Sequence, residues 1–140
     1  MELGHQLTKI LMRLYFAIIF IALNSALGLC QEAEFHFLEK TTVKLGDFNE
    51  GVVAKHDFVF INDGDAPLVI YSADISCSCT KIDYPKEPIA PGDTSVIKVS
   101  FDTKGKYLWQ DRVIYLQSNA KRKEKLRIKL YVIPKEEKDN

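Results

Sequence analysis

The sequence has few of the residue types that usually carry catalysis or metal binding. Three cysteines, three histidines and two methionines are present, and both methionines lie near the N-terminus. No serine or cysteine nucleophile stands in a recognisable motif, no pair of carboxylates stands out, and no glycine-rich phosphate loop occurs. We therefore predict that the protein is not an enzyme. A blue-copper site, which combines histidine, cysteine and commonly methionine, would be incomplete.

An excess of charge of either sign is also absent. The chain has 19 basic and 19 acidic residues, so no global field would draw it to nucleic acid or to an anionic membrane. We predict no nucleic-acid partner. The local basic run at residues 121–125 (KRKEK) is interpreted as a solvated hairpin, with contact to an acidic polymer as the alternative. The length of 140 residues is enough for one domain.

The apolar block at residues 14–23 (LYFAIIFIAL) is short for a membrane span, which needs roughly 20 apolar residues. Lys9 and Arg13 precede this block, and the small residues of NSALG (24–28) follow it. This order predicts a secretory signal peptide over residues 1–30, cut near residues 28–30. The protein is therefore expected to be exported to the periplasm or the extracellular medium. An uncleaved membrane anchor is the alternative.

The cleavage site decides the fate of Cys30. A cut before Leu29 keeps this cysteine, and a cut before Gln31 removes it. LGLC (27–30) also places a cysteine where a lipoprotein carries its acyl chains, although Leu29 is bulky where that signal requires a small residue. Lipidation of Cys30 is thus a third alternative, and membrane association is expected only with lipidation or an uncleaved signal. An exported compartment permits the remaining two cysteines to be oxidised.

A helical period of useful length is missing after Gln31, and short apolar alternations bounded by turn residues take its place. We predict a bulge near residues 72–74 and a proline-rich loop at residues 84–93. About seven short strands predict an immunoglobulin-like antiparallel β-sandwich over residues 31–134, followed by a charged, frayed tail at 135–140. The main predicted strands are at residues 41–45, 56–62, 67–79, 97–101, 112–118 and 126–132.

A succession of motifs also carries a resemblance to a family. The motifs are LGDFNEG (45–51), FVFINDGDAPLVI (58–70), SCSCT (76–80), EPIAPGD (87–93), VSFDTKGK (99–106), QSNA (117–120) and LRIKLYV (126–132). In this succession the chain resembles the bacterial family called domain of unknown function 1573, over nearly the whole mature chain. The resemblance implies export and an immunoglobulin-like fold akin to Hydin-type and pilus-chaperone-type sandwiches, and it implies no activity. The family usually has glycine where Ser78 and Leu130 stand, which argues against a tight turn at Ser78 and for a more regular last strand.

The cysteine pair of the predicted mature chain is Cys77-Ser78-Cys79. In an extended strand, the Cα atoms of residues two apart are separated by roughly 6.6 Å, at the far edge of what a disulfide tolerates. A strained disulfide with a redox role is one hypothesis, and two thiolates that bind Cu(I) or zinc are another. Beside them the mature chain offers only His36 and His56. We therefore favour a structural pair or two buried thiols.

Tyr107, Leu108 and Trp109 follow Gly105 and are predicted to lie in a loop. Trp109 is expected to close one end of the sandwich, with an exposed anchor for a partner as the alternative. His36, between two phenylalanines, is interpreted as an exposed strand residue rather than a base. The sequence thus predicts a non-catalytic module of the cell envelope that binds another envelope protein through this loop and the edge strands. A thiol function at the cysteine pair is the alternative.

Overall fold

The structure is a computed structural model, and it describes Lys9, residues 11–19 and residues 31–135. The chain divides into one compact unit of residues 1–30 and a second of residues 31–140. In the first unit, residues 11–19 are helical. No helix within the described residues is long and apolar enough to cross a membrane. The predicted cleavage region and Cys30 lie outside the described residues, so the signal peptide and the lipidation stay predictions.

Residues 31–135 form a sandwich of two four-stranded sheets. The strand order is β1-β3-β6-β5 in the first sheet and β2-β8-β7-β4 in the second. The predicted immunoglobulin-like sandwich is confirmed, with eight strands in this part of the chain rather than about seven. The strands are β1 (Phe35–Phe37), β2 (Thr42–Asn49), β3 (Val53–Asn62), β4 (Ile70–Ile75), β5 (Thr80–Asp83), β6 (Thr94–Asp102), β7 (Leu108–Ser118) and β8 (Glu124–Ile133).

The core lies between the two sheets and follows the alternation of the sequence. Successive side chains of a strand point to opposite faces, so apolar residues two apart reach the same interior. In β8 every second residue from Leu126 to Val132 is buried, while Lys125 is exposed. The largest fully buried side chains are Phe58, Phe60 and Phe101 of the first sheet together with leucines and isoleucines from both sheets. β8 continues without interruption through Leu130, as its replacement of the family's glycine predicts.

One strand pair in the second sheet is parallel. β2 runs parallel to β8, whereas every other neighbouring pair of named strands is antiparallel. The chain leaves the first sheet after β1, adds β2 to the second sheet and returns to the first as β3. A register shift between Lys44 and Gly46 interrupts the β2–β8 pairing, and Gly46 there has a φ of 89°.

The prediction of one long strand over residues 67–79 is wrong. β4 ends at Ile75, and its pairing with β7 shifts register between Ile70 and Ser72, close to the predicted bulge. The chain then turns at residues 76–79 and enters the other sheet as β5. The apolar alternation runs on through Cys77, but the backbone reverses there because the Thr80 N–H donates to the Cys77 carbonyl over 3.1 Å. The cysteine pair therefore lies in the turn that connects the two sheets.

A buried asparagine fixes the N-terminal segment of the domain, residues 32–35. Asn62 at the end of β3 is fully buried, and its side chain donates to the carbonyls of Ala66 (2.8 Å) and Ile89 (2.9 Å). Its Oδ1 accepts the N–H groups of Gly64 (3.1 Å) and Glu34 (3.4 Å). One side chain thus joins the N-terminal segment, the turn after β3 and the loop at residues 84–93.

Candidate functional site

The two cysteines form a disulfide in the turn between the sheets. The Cα atoms of Cys77 and Cys79 are 5.2 Å apart, within the ordinary range for a disulfide. The wider separation expected of an extended strand does not apply here, because the backbone turns at these residues instead of continuing as a strand. Ser78 does not have a positive φ, so the turn does not need glycine at this position. The sequence argument against a tight turn at Ser78 is therefore also wrong.

Hydrogen bonds from backbone N–H groups hold this turn, and one of them reaches a sulfur atom. The Asp102 N–H donates to the Cys79 carbonyl over 2.8 Å, which joins the turn to β6. The Cys79 N–H donates to Sγ of Cys77 over 3.1 Å. Both cysteines are half-buried, and Cys79 packs against the hydrophobic core. The two sulfur atoms are therefore not equivalent, since a backbone donor faces that of Cys77.

The structure does not bring further metal ligands to the cysteines. No group of three or more His, Cys, Asp or Glu side chains that could hold a metal ion occurs among the described residues. His36 is exposed on β1, as predicted, and Nε2 of His56 lies 2.8 Å from Oε1 of Glu39. Since thiolates are the metal-binding form, Cu(I) or zinc binding needs the reduced pair. Metal binding at Cys77 and Cys79 stays a prediction.

Residues 107–109 contribute to an exposed apolar surface on the second sheet. The prediction that Trp109 closes the end of the sandwich is wrong, because β7 already begins at Leu108 and Trp109 takes an outward position with 72% of its surface exposed. Its ring packs edge-on against Tyr131 of β8, with centroids 5.2 Å apart. We call Tyr107, Leu108, Trp109, Tyr131 and Ile133 the aromatic surface.

The backbone at the start of this surface is held in an unusual conformation. Leu108 has a φ of 61°, and it is the one non-glycine residue with a positive φ in the described part of the chain. A bulky side chain is strained in that region, and such strain is found most often at functional positions. Nε2 of Gln110 donates to the Tyr107 carbonyl over 2.8 Å and so closes the entry to β7. Leu108 is half-exposed at the start of β7.

Charged side chains continue the outer face of the second sheet beyond the aromatic surface. Arg127 donates two hydrogen bonds to Asp111, of 2.7 and 2.6 Å, and Nζ of Lys129 lies 3.7 Å from the same carboxylate. The hydrogen bond from Arg127 is the largest influence on Asp111, and it holds the pKa of this carboxyl below its ordinary value although partial burial opposes the change. The same pair raises the pKa of Arg127.

The Asp111 ion pair predicts a small dependence of stability on pH. Because the folded-state pKa of Asp111 is lowered, its contribution is present above the ordinary value of 3.8 and is lost as the pH falls through the folded pKa. Asp111 is 41% exposed, so solvent screening limits the effect. We expect Asp111→Asn to lower the free energy of unfolding by under about 1 kcal/mol at pH 7 in low salt. Urea unfolding at a series of pH values from 7 downward measures this, and a difference that does not shrink as Asp111 becomes protonated contradicts the assignment.

Sequence reasoning missed the contribution of Tyr131 to the aromatic surface. Tyr131 was treated only as part of a regular strand, although the alternation of β8 places it on the outer face, opposite the buried Val132. Its contact with Trp109 follows from the β7–β8 register, in which the two residues are direct partners. Such a register could be found only by locating the start of β7. Sequence reasoning placed that start several residues too late.

Solved structures share this fold at low sequence identity. A protein of unknown function from Porphyromonas gingivalis W83 is 18% identical with a TM-score of 0.63, and the match covers 76% of this chain and 50% of that one. The Vibrio cholerae VesB protease is 16% identical with a TM-score of 0.58, covering 71% of this chain and 32% of that one. The PapD-like domain 7 of human CEP192 is 6% identical with a TM-score of 0.55, covering 75% and 87%. At such identities the likeness shows the fold alone.

The present chain therefore spans half of the Porphyromonas protein and about a third of the protease. No curated protein sequence gives a significant match. The family model described as "Protein of unknown function (DUF1573)" matches residues 36–132, which is most of the chain and nearly all of the sandwich. The resemblance drawn from the motifs is thereby confirmed, and the chain belongs to the DUF1573 family.

Proposed function

We propose that this protein is a non-catalytic, exported module of the bacterial cell envelope that binds another envelope protein through its aromatic surface. The observation that carries the proposal is the exposure of Trp109 on a regular strand, edge-on to Tyr131. A tryptophan costs free energy when water surrounds its apolar ring, so burial of Trp109 against a partner would be favourable.

The composition and rigidity of this surface favour a protein partner. Trp, Tyr and Arg are the residues most enriched at binding hot spots, and Trp109, Tyr131, Tyr107 and Arg127 supply all three types. The rings of Trp109 and Tyr131 stand on central strands of the sheet rather than on a loop. Little side-chain freedom is then lost on binding, which favours affinity.

The charges beside the aromatic surface suggest the chemistry of the partner. Lys125, Arg127 and Lys129 follow each other at outward positions of β8. Asp111 pairs with Arg127 and reaches Lys129, and no ion pair is found for Lys125 within the described residues. A partner that joins an apolar patch to acidic side chains would complement this face.

Export is supported by the order of basic, apolar and small residues before position 31 and by the disulfide at Cys77 and Cys79. Disulfides persist in oxidising compartments and are rare in reducing ones. Ala33 is the first buried residue of the described domain, so a cut before Gln31 would remove none of its core. The full chain should therefore appear in the periplasmic or extracellular fraction of a bacterial host, shortened by about 30 residues.

Site-directed photo-crosslinking in such a host tests the binding surface. A photo-crosslinking amino acid at position 133, beside Tyr131, should give a discrete adduct with one envelope protein, identified by mass spectrometry. The same photo-crosslinking amino acid in place of Lys55, which is exposed on the first sheet, should give no such adduct. With the identified partner purified, Trp109→Ala should weaken binding about 30-fold or more, the effect expected of a hot-spot residue.

Tyr71→Ala is the matched control, because Tyr71 is another exposed aromatic residue, 62% exposed on β4. It should leave affinity unchanged, while Lys129→Glu should weaken binding to an acidic partner. Equal crosslinking from positions 133 and 55, or full affinity in Trp109→Ala, would overturn the proposal. An adduct with a second copy of the chain would show that the aromatic surface binds the protein itself rather than another envelope protein.

A further inference from the structure

We infer that the Cys77–Cys79 disulfide is a thiol–disulfide exchange site, which oxidises a dithiol of a peptide or protein substrate. This function adds a redox reaction to the non-catalytic binding role proposed above, and it uses a different part of the fold, the turn between the two sheets. The inference rests on three features of that turn. They are the small ring that the bond closes, the unequal surroundings of the two sulfurs, and the cavity beside Cys79.

The disulfide contributes little to holding the domain together. Stabilisation by a cross-link grows with the length of the loop that it closes, and this one joins residues only two apart. The turn is already closed by the hydrogen bond from Thr80 N–H to the Cys77 carbonyl, and Asp102 N–H joins it to β6. The bond can therefore open and close while the sandwich stays folded.

The surroundings of the sulfurs decide which one leaves when the bond is attacked. The Cys79 N–H lies 3.1 Å from Sγ of Cys77 and donates to it. A hydrogen bond to a charged group stabilises that charged form, so the thiolate of Cys77 is favoured over that of Cys79. Exchange is faster when the leaving thiol has the lower pKa. Cys77 is therefore the leaving group, and Cys79 is the sulfur that is attacked.

A cavity lies beside Cys79, the cysteine that is attacked. Its volume is about 170 Å³, and Cys79 lines it together with Val53, Ser78, Lys81, Ser100 and Asp102. The ammonium group of Lys81 favours the approach of a thiolate, whereas the Asp102 carboxylate opposes it. Oδ1 of Asp102 accepts the Lys104 N–H over 2.9 Å, which partly satisfies that carboxylate. The lining of this cavity includes Cys79 and not Cys77, which agrees with attack at Cys79.

The exchange takes place in two balanced steps. A substrate thiolate attacks Sγ of Cys79, a mixed disulfide forms, and the electron pair of the broken S–S bond passes to Sγ of Cys77 as a thiolate. The second substrate thiol, after losing its proton, then attacks the substrate sulfur of the mixed disulfide and releases the Cys79 thiolate. The thiolates of Cys77 and Cys79 then take up two protons, equal in number to those that the substrate thiols released. The substrate dithiol has lost two electrons and two protons, and the pair has gained them. Reoxidation requires a second disulfide or quinone oxidant in the same compartment.

The direction of attack can be measured on the full chain with Cys30→Ala as background, so that only the pair remains. The oxidised protein is mixed with glutathione, quenched in acid, alkylated and analysed by tandem mass spectrometry. We expect the glutathione adduct on Cys79 and the alkyl group on Cys77, in at least tenfold excess over the reverse. Equal distribution, preference for Cys77, or a bond that reacts only after denaturation would overturn the inference.

Single-cysteine variants test the cause of the asymmetry. Cys79→Ser retains the backbone N–H that faces Cys77, so the Cys77 thiol should react with iodoacetamide with a pKa below the ordinary value of about 8.5. Cys77→Ser is the matched control, and its Cys79 thiol should lack this shift. A reduced peptide with two cysteines should be oxidised one for one by the pair, unchanged by Trp109→Ala. Equal pKa values in the two variants, or no peptide oxidation, would contradict the inference.

Discussion

Gly64→Ala is expected to lower the free energy of unfolding by about 3 kcal/mol, at the upper end of the effects of overpacking. A Cβ atom at position 64 would lie 2.2 Å from the Glu32 carbonyl oxygen and 2.7 Å from both Ala33 Cα and Glu34 N. All three atoms belong to the backbone, so no flexible side chain can move aside. The N-terminal segment would have to leave the turn after β3, and the buried Ala33 would move with it.

Thermal or urea unfolding of the full chain measures this effect, and the melting temperature should fall by more than about 10 °C. Gly105→Ala is the matched control. A Cβ atom there meets nothing within 4 Å, but Gly105 has a φ of 66°, so this variant reports only the conformational penalty. That penalty is roughly 1 kcal/mol. If both variants lost equal stability, close packing of the N-terminal segment would not be the cause.

Asn62→Leu is expected to cost about 3 kcal/mol or more, although leucine is similar in size and more apolar. The Asn62 side chain serves two N–H groups and two carbonyls, and residue 62 is fully buried. Leucine would leave the Gly64 N–H and the Ala66 carbonyl without this partner, and an unsatisfied buried polar group costs roughly 1–3 kcal/mol. Urea unfolding at neutral pH measures the loss.

Asn119→Ala is the control for this second prediction. The side chain of Asn119 also joins two backbone groups, since it accepts the Val69 N–H and donates to the Pro67 carbonyl, both over 2.8 Å. Asn119 is exposed, so water can replace both bonds and the loss should stay below about 1 kcal/mol. An Asn62→Leu protein as stable as the Asn119→Ala protein would show that burial of the amide is not what matters.

Positions 62 and 64 also bear on the proposed export. Residues 32–35 are the first part of the domain that follows the predicted signal peptide, and Asn62 and Gly64 hold them in place. Destabilised Gly64→Ala protein should therefore be more susceptible to proteases after export, without any change at the aromatic surface. Loss of the adduct from position 133 in Trp109→Ala but not in Gly64→Ala protein would separate binding from stability.

Much of the architecture was predictable because burial leaves a period of two in the strands. The alternation from Leu126 to Val132 predicted β8 within a few residues, and Pro-Gly with its neighbours predicted the loop before β6. β5 was missed and β1 was anticipated only in the strand position of His36, since strands of four and three residues carry too few alternations to be distinguished from a loop. The start of β7 was also missed, because Trp109 and Tyr107 looked like loop residues after Gly105.

The sequence by itself determined the fold class, the family and which residues could carry a function. Only the tertiary structure decided how those residues are used. Cys77 and Cys79 form a disulfide in a turn because the backbone crosses between sheets there, which the continuing apolar alternation conceals. Trp109 faces solvent because β7 begins before it and pairs it with Tyr131. Strand register and sheet crossing depend on contacts between residues distant in the chain, and a local pattern does not contain them.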